Sequence, residues 1–153
     1  KFLLKRTEML SNSCRYGLRA ILYLASRQND ENVGIKQIAS DLGLPTPFMA
    51  KILQQLAKHK ILHSTKGPNG GFSLQKNPEK ITLLEIVKII DGEDIFTNCI
   101  IHDETCAGVR HRNKPCPIHE DYSKIQADLI SLFQNRTIAQ LVQRINASEK
   151  IFI

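Results

Sequence analysis

Apolar residues recur through the first ninety positions in short helical stripes, broken by glycine, proline or polar runs. Tyr16, Ala20, Ile21 and Leu24 share one face of a first helix, since residues four and eight apart stack on one side of an α-helix. Asn12 or Ser13 is placed to cap it, and the polar run 28–32 to end it. A second, short helix runs from about Ile35 to Leu42, with Ile35, Ile38, Ala39 and Leu42 inward and Gly43 as its stop. Leu44-Pro45-Thr46-Pro47 makes a turn, and Pro47 suits the first turn of a third helix. That helix turns Phe48, Ile52, Leu53 and Leu56 to the core, leaving Thr46, Lys51, Gln54, Gln55 and Lys58 outside. Two strands follow, near Leu62–Thr65 and Gly71–Leu74, around a tip of turn residues and a cation, Lys66 to Gly71.

Thr82-x-x-Glu85 reads as a capping box for a helix with Leu83, Ile86, Val87 and Ile90 on one side, closed by Asp91-Gly92. Periodicity then lapses over 93–115. It resumes with Ile118, Tyr122, Ile125, Leu129 and Leu132, stepping by four, three, four and three. This heptad spacing belongs to a helix that lies along another helix, either its counterpart in a dimer or the first helix of the same chain. Asn135-Arg136 ends it. Thr137-x-x-Gln140 opens a last helix bearing Ile138, Leu141, Val142 and Ile145, and Ser148–Ile153 is a tail.

Helix, short turn and polar-faced helix, followed by a hairpin, make a winged helix-turn-helix. The expected fold is mainly α, with a small β-hairpin wing and a long C-terminal dimerisation helix. The expected organisation is an extension over 1–8, a DNA-binding headpiece over 9–92, a cysteine-rich cofactor loop over 93–115, and the dimerisation and final helices over 116–153. Met9, just before the first helix, is a candidate biological start.

Charge sharpens the functional reading. The 153-residue chain carries a net charge of +6, and the 37 residues from Leu42 to Pro78 hold no Asp or Glu but five lysines: Lys51, Lys58, Lys60, Lys66 and Lys76. A field of one sign draws polyanions, above all nucleic acid. Thr46, Phe48, Lys51, Gln54 and Lys58 are the candidates for major-groove and backbone contact, with Phe48 serving either the core or the DNA. Lys66 and Gly67 are the candidates at the minor groove. No apolar run approaches the ~18 residues of a membrane span, and Phe2-Leu3-Leu4 is too short for a secretory signal. The expected compartment is cytoplasm. Catalysis is not expected: there is no phosphate-cradling glycine loop and no nucleophile elbow.

The aperiodic loop holds the chemistry. Cys99, Cys106 and Cys116 are separated by six and nine residues, and His119 follows after Pro117 and Ile118. In a reducing compartment clustered thiols bind metals or do redox chemistry rather than form structural disulfides. Thiolate and imidazole suit zinc or iron–sulfur. The absence of a CxxC pair and the long spacings favour a larger object than a single zinc ion. A 2Fe–2S cluster on the three cysteines and His119 is preferred, a 4Fe–4S cluster is the rival, and a given sample can lack either. His102 and His111, in the same loop, are expected to be solvated. Cys14 is expected to be a small buried hydrophobe.

SCRYGLRAILYLA, KQIASDLGLP, FMAKILQQLAKHKIL, TKGPNGGFSL and ITLLEIVKIIDG, in that order, resemble the Rrf2 family of bacterial winged-helix regulators, the group containing IscR, NsrR and CymR. The resemblance covers nearly all of residues 9–146. It implies a homodimeric regulator of palindromic operators, mostly a repressor, with double-stranded DNA as partner and, in CymR-like members, a protein partner. It also implies cluster ligation by three cysteines just before the dimerisation helix, a place held here by Cys99, Cys106 and Cys116. IscR-like members add a histidine three residues after the last cysteine, which His119 matches. The chain departs from the pattern in a longer loop, in Lys66 where arginine is common, and in Lys60 where a helix-ending glycine is common.

Overall fold

The computed structural model describes residues 9–27, 31–102, 104–106 and 116–148. The expectations for the extension 1–8, for His111 and for the tail beyond Ser148 fall outside them. The chain is mainly helical with one small antiparallel hairpin, as the apolar spacing predicts.

Helix α1 spans Asn12–Ser26 and is capped by Ser11, not by Asn12 or Ser13: Ser11 Oγ accepts from the Cys14 backbone N–H at 3.0 Å. The reason is tertiary. Asp91, eighty residues away, takes the Ser11 backbone N–H at 2.8 Å and its hydroxyl, and so fixes where the helix begins. Helix α2, Ile35–Leu42, ends at Gly43, whose φ of +62° is the left-handed conformation a glycine adopts cheaply.

Helix α3, Thr46–Lys58, buries Met49, Ile52, Leu53 and Leu56. This corrects the core face: Phe48 is 61% exposed, and Met49 takes the inward place. Positions 49, 52, 53 and 56 form the closer i, i+3, i+4, i+7 stripe, and Phe48 lies about 100° round the helix from Met49. Gln55 is also not an outer residue. It is half-buried and its Nε2 donates to the Ile89 carbonyl at 2.6 Å, tying α3 to the fourth helix. After α3 the chain reverses through Lys60, a non-glycine at φ +60°. The lysine in a glycine-favoured place thus carries roughly 1–2 kcal/mol of backbone strain.

Strands β1 (Leu62–Thr65) and β2 (Gly71–Leu74) pair antiparallel, Leu62 opposite Leu74 and Thr65 opposite Gly71. Val33 bridges Phe72 by two 2.9 Å backbone hydrogen bonds, which locks the wing to the segment entering α2. A 3-10 turn, Pro78–Lys80, leads to α4, Leu83–Ile90. Its capping box is half-made. Thr82 Oγ1 accepts from the Glu85 N–H at 3.2 Å, but the Glu85 carboxylate pairs with Lys76 Nζ at 2.6 Å.

Short α5 (Asp94–Thr97), long α6 (His119–Asn135) and α7 (Ile138–Ala147) complete the described chain. The Thr137–Gln140 capping box at α7 is complete. Ile138 is fully buried in one cluster with Ile21, Ile38, Leu53, Ile61 and Ile86. Each such side chain withdrawn from water contributes about 1.5–3 kcal/mol. The last helix therefore shares the core of the headpiece, although long α6 lies between them in sequence.

Helix α6 packs on α4 and α5 around a second cluster of Cys14, Val87, Phe96 and Phe133. Phe96 and Phe133 meet edge to face, with centroids 5.6 Å apart. Cys14 is fully buried, and burial together with the nearby Asp91 charge pushes its thiol up to about 12. Of the heptad row, Leu129 joins this intrachain packing, whereas Ile118, Ile125 and Leu132 are exposed, seven residues apart.

Candidate DNA-binding face and metal centre

The polar side of α3 and the tip of the wing both belong to the stretch 42–78, which holds no Asp or Glu. Phe48, Lys51, Gln54 and Lys58 are exposed on α3, with Thr46 half-buried at its first turn. Lys66 and Gly67 are exposed at the wing tip, where Gly67 has φ +104°. Among the described residues no carboxylate is paired with Lys51, Lys58 or Lys66, so their charge is free to act outward. Lys76 is different: its partner Glu85 removes it from the field. Phe48 lies on the same helix as Lys51 and Lys58, 61% exposed.

The cysteine loop is built on α5 and α6. An isolated bridge joins Asn98 to Thr105, and the Cys99 N–H donates to the Glu104 carbonyl at 2.8 Å, so a tight reversal brings Cys106 back to Cys99. Cys116 ends the loop, and its carbonyl accepts from the His119 N–H at 3.0 Å as α6 begins. Gln126, the buried polar side chain of α6, clamps the arrangement. Its Nε2 donates to the Asn98 carbonyl at 2.9 Å, and its Oε1 accepts from Cys106 Sγ at 3.4 Å.

Cys99 Sγ lies 3.7 Å from Cys116 Sγ and 3.3 Å from His102 Nδ1. The ligand atoms of Cys99, His102 and Cys116 all fall within 4.8 Å of one another. Cys106 is outside that set but close enough to be influenced by both other loop thiols. The His102 ring, with backbone N–H groups of Ile101 and His102, pulls the Cys99 thiol down to about 6. Burial first, and then the charge of Cys99, pushes the Cys106 thiol up. Two thiols and an imidazole within this compass, with the Cys106 thiol beside them, are donors for a soft or borderline metal, so the residues present fit a thiolate-held cofactor.

His102 is the residue the sequence reading undervalued. It is exposed, as expected of a solvated side chain, but its ring leans on Cys99. The spacing Cys99-x-x-His102 was the available signal, because two intervening residues are an ordinary ligand separation. His119, at the first turn of α6 and half-buried, is not in the compact set.

Residues 10–144 match the family described as Rrf2, iron-dependent transcriptional regulator. The chain belongs to the Rrf2 family. A relative from Aquifex aeolicus, provisionally named an HTH-type transcriptional regulator, is 33% identical over 93% of this chain and 94% of its own length. An rrf2-like regulator of the same provisional kind from Rhodobacter capsulatus is 27% identical over 94% and 98%. The fold resembles CymR, the global cysteine regulator of B. subtilis, at a TM-score of 0.71 and 22% identity over 88% of this chain and 96% of that one. It resembles T. potens IscR at 0.67 and 21% over 94% and 91%. This Rrf2-family chain is thus a transcriptional regulator and not an enzyme. Among the described residues no helix is long and apolar enough to cross a membrane.

Proposed function

We propose that this chain is a homodimeric repressor of palindromic operators whose affinity is set by an iron–sulfur cluster held at Cys99, Cys106 and Cys116. The observation that carries the reading is the position of the three thiols at the foot of α6, clamped to that helix through Gln126. The exposed row Ile118, Ile125 and Leu132 is the seam for the second copy. Thr46, Phe48, Lys51, Gln54 and Lys58 meet the major groove and its phosphates, and Lys66 and Gly67 reach the minor groove. The protein acts in the cytoplasm, where operators and reduced thiols coexist.

A cluster in the loop would supply a redox-active, charged group that oxidants or iron supply can alter. What this chain does is couple that change to DNA. Gln126 ties Asn98 and Cys106 to α6, and α6 sets the spacing of the two headpieces. Only a difference in stability between loaded and empty forms of the DNA-competent dimer can shift affinity. A coupling of about 1–3 kcal/mol corresponds to roughly 5- to 150-fold.

The test is operator binding by anaerobically purified protein with iron and sulfide counted, loaded against stripped. Equal affinity in both states overturns cluster control. Cys106→Ala is expected to yield colourless protein after anaerobic reconstitution that still binds DNA; retained visible absorbance would remove Cys106 from the ligand set. Lys66→Ala is expected to weaken binding to every sequence and to reduce the salt slope by about one. An unchanged slope in a salt titration would deny Lys66 a phosphate contact.

A second reading has its own support. Cys99 and Cys116, 3.7 Å apart with the Cys99 thiol lowered to about 6, are poised for direct thiol sensing without a cluster. It predicts full regulation by oxidant in iron-free protein.

A further inference from the structure

Ligands that share one tetrahedral metal stand at fixed distances from each other. With metal–sulfur bonds of about 2.3 Å and metal–nitrogen bonds of about 2.0–2.1 Å, tetrahedral angles give a sulfur–sulfur edge of about 3.8 Å and a sulfur–nitrogen edge of about 3.6 Å. The observed separations are 3.7 Å for Cys99 Sγ to Cys116 Sγ and 3.3 Å for Cys99 Sγ to His102 Nδ1. Two ligands on one iron of a cluster share that sulfur–sulfur edge, so what points to a single ion is the third donor of the compact set, His102 rather than Cys106. Cys106, which a cluster needs, is beside Cys99 but outside the compact set, and its Sγ donates to Gln126 Oε1 at 3.4 Å.

We propose that the pocket also holds a single divalent ion of the zinc class, bound by Cys99, His102 and Cys116, as an alternative to the cluster. This shares the pocket of the preceding reading but not its cofactor. Both sulfurs bind as thiolates, any proton they still carry passing to solvent, and the fourth position is left to water, so the ion is exchangeable. Two of the three thiolates that a cluster requires are then occupied, and the two loads exclude one another. His102 is exposed, as are Ile100 and Ile101 before it, so the ion is reached from the solvent side. A regulator built this way responds to the supply of a borderline divalent metal as well as to iron and sulfide.

The experiment is an anaerobic titration of the reduced, metal-stripped full chain with cobalt(II), followed by its visible and thiolate charge-transfer absorption. The expected result is one tetrahedral, thiolate-ligated cobalt per chain, displaced by stoichiometric zinc. Cys106→Ala and His119→Ala are expected to keep that spectrum. His102→Ala is expected to weaken binding by more than the roughly 10- to 100-fold that follows loss of a mere supporting partner, with the thermal unfolding of metal-free protein unchanged. An octahedral spectrum, no binding, or a site lost with His119 and kept without His102 overturns the proposal. Iron and sulfide reconstitution of the same variants tests the cluster separately, so each reading can fail alone.

Discussion

Ile125→Asp is expected to give a folded monomer that holds its operator at least roughly 100-fold more weakly than the parent chain. Ile125 is 62% exposed and sits between Ile118 and Leu132 in a row spaced by seven. None of the three belongs to the buried clusters that hold the chain together, so a carboxylate there costs the monomer little. In a two-fold helix pair the same position meets its own copy, and the two like charges face each other across a dry seam. A dimer that grips two half-sites gains about 10²–10⁴ over one headpiece by effective concentration alone, and that gain is what the substitution removes. Sedimentation velocity reads the assembly, thermal unfolding confirms the fold, and fluorescence anisotropy at fixed salt reads the DNA. A variant that stays dimeric refutes the seam.

Where the fold was legible in the sequence, the information was local. Helix α2 and both strands fall on the residues expected because Gly43, the proline turn and the 66–71 tip punctuate them within a few positions. What was not legible depended on distant partners. Ser11 rather than Asn12 caps α1 because Asp91 reaches it from the end of α4. Glu85 leaves its capping box because Lys76 competes for it. Phe48 and Met49 are both apolar and adjacent, and only the packing of α3 on its neighbours decides which turns inward. In the loop, the spacing of the cysteines told of a metal-capable region but not of its shape. The approach of Cys99 to Cys116 follows from the Asn98–Thr105 bridge and the Gln126 clamp, neither of which leaves a periodic trace.

Gly71→Ala is expected to lower stability by on the order of 3 kcal/mol and, with it, to disconnect the wing from the segment entering α2. The position has φ +157°, and an added Cβ would stand 2.4 Å from the Val33 carbonyl oxygen and 2.5 Å from its carbon. Those atoms are backbone and cannot swing aside. The chain must break either the Val33–Phe72 bridge or the pairing of Gly71 with Thr65. Backbone strain of about 1–3 kcal/mol adds to an overpacking cost of similar size. For a chain of this length that is a fall of roughly 10 °C in Tm, within the total of about 5–15 kcal/mol that keeps a domain folded. Gly67→Ala is the matched comparison: its φ of +104° is strained, but nothing lies within 4 Å of its added Cβ. Calorimetry should therefore find Gly67→Ala the milder of the two, and the difference isolates the Val33 contact. Since Phe72 is buried beside Val33 while Lys66 is exposed on the same hairpin, the wing is fixed at its base and free at its tip. Loosening the base should lose operator discrimination while leaving salt-sensitive binding to random duplex largely intact, the reverse of what Lys66→Ala does.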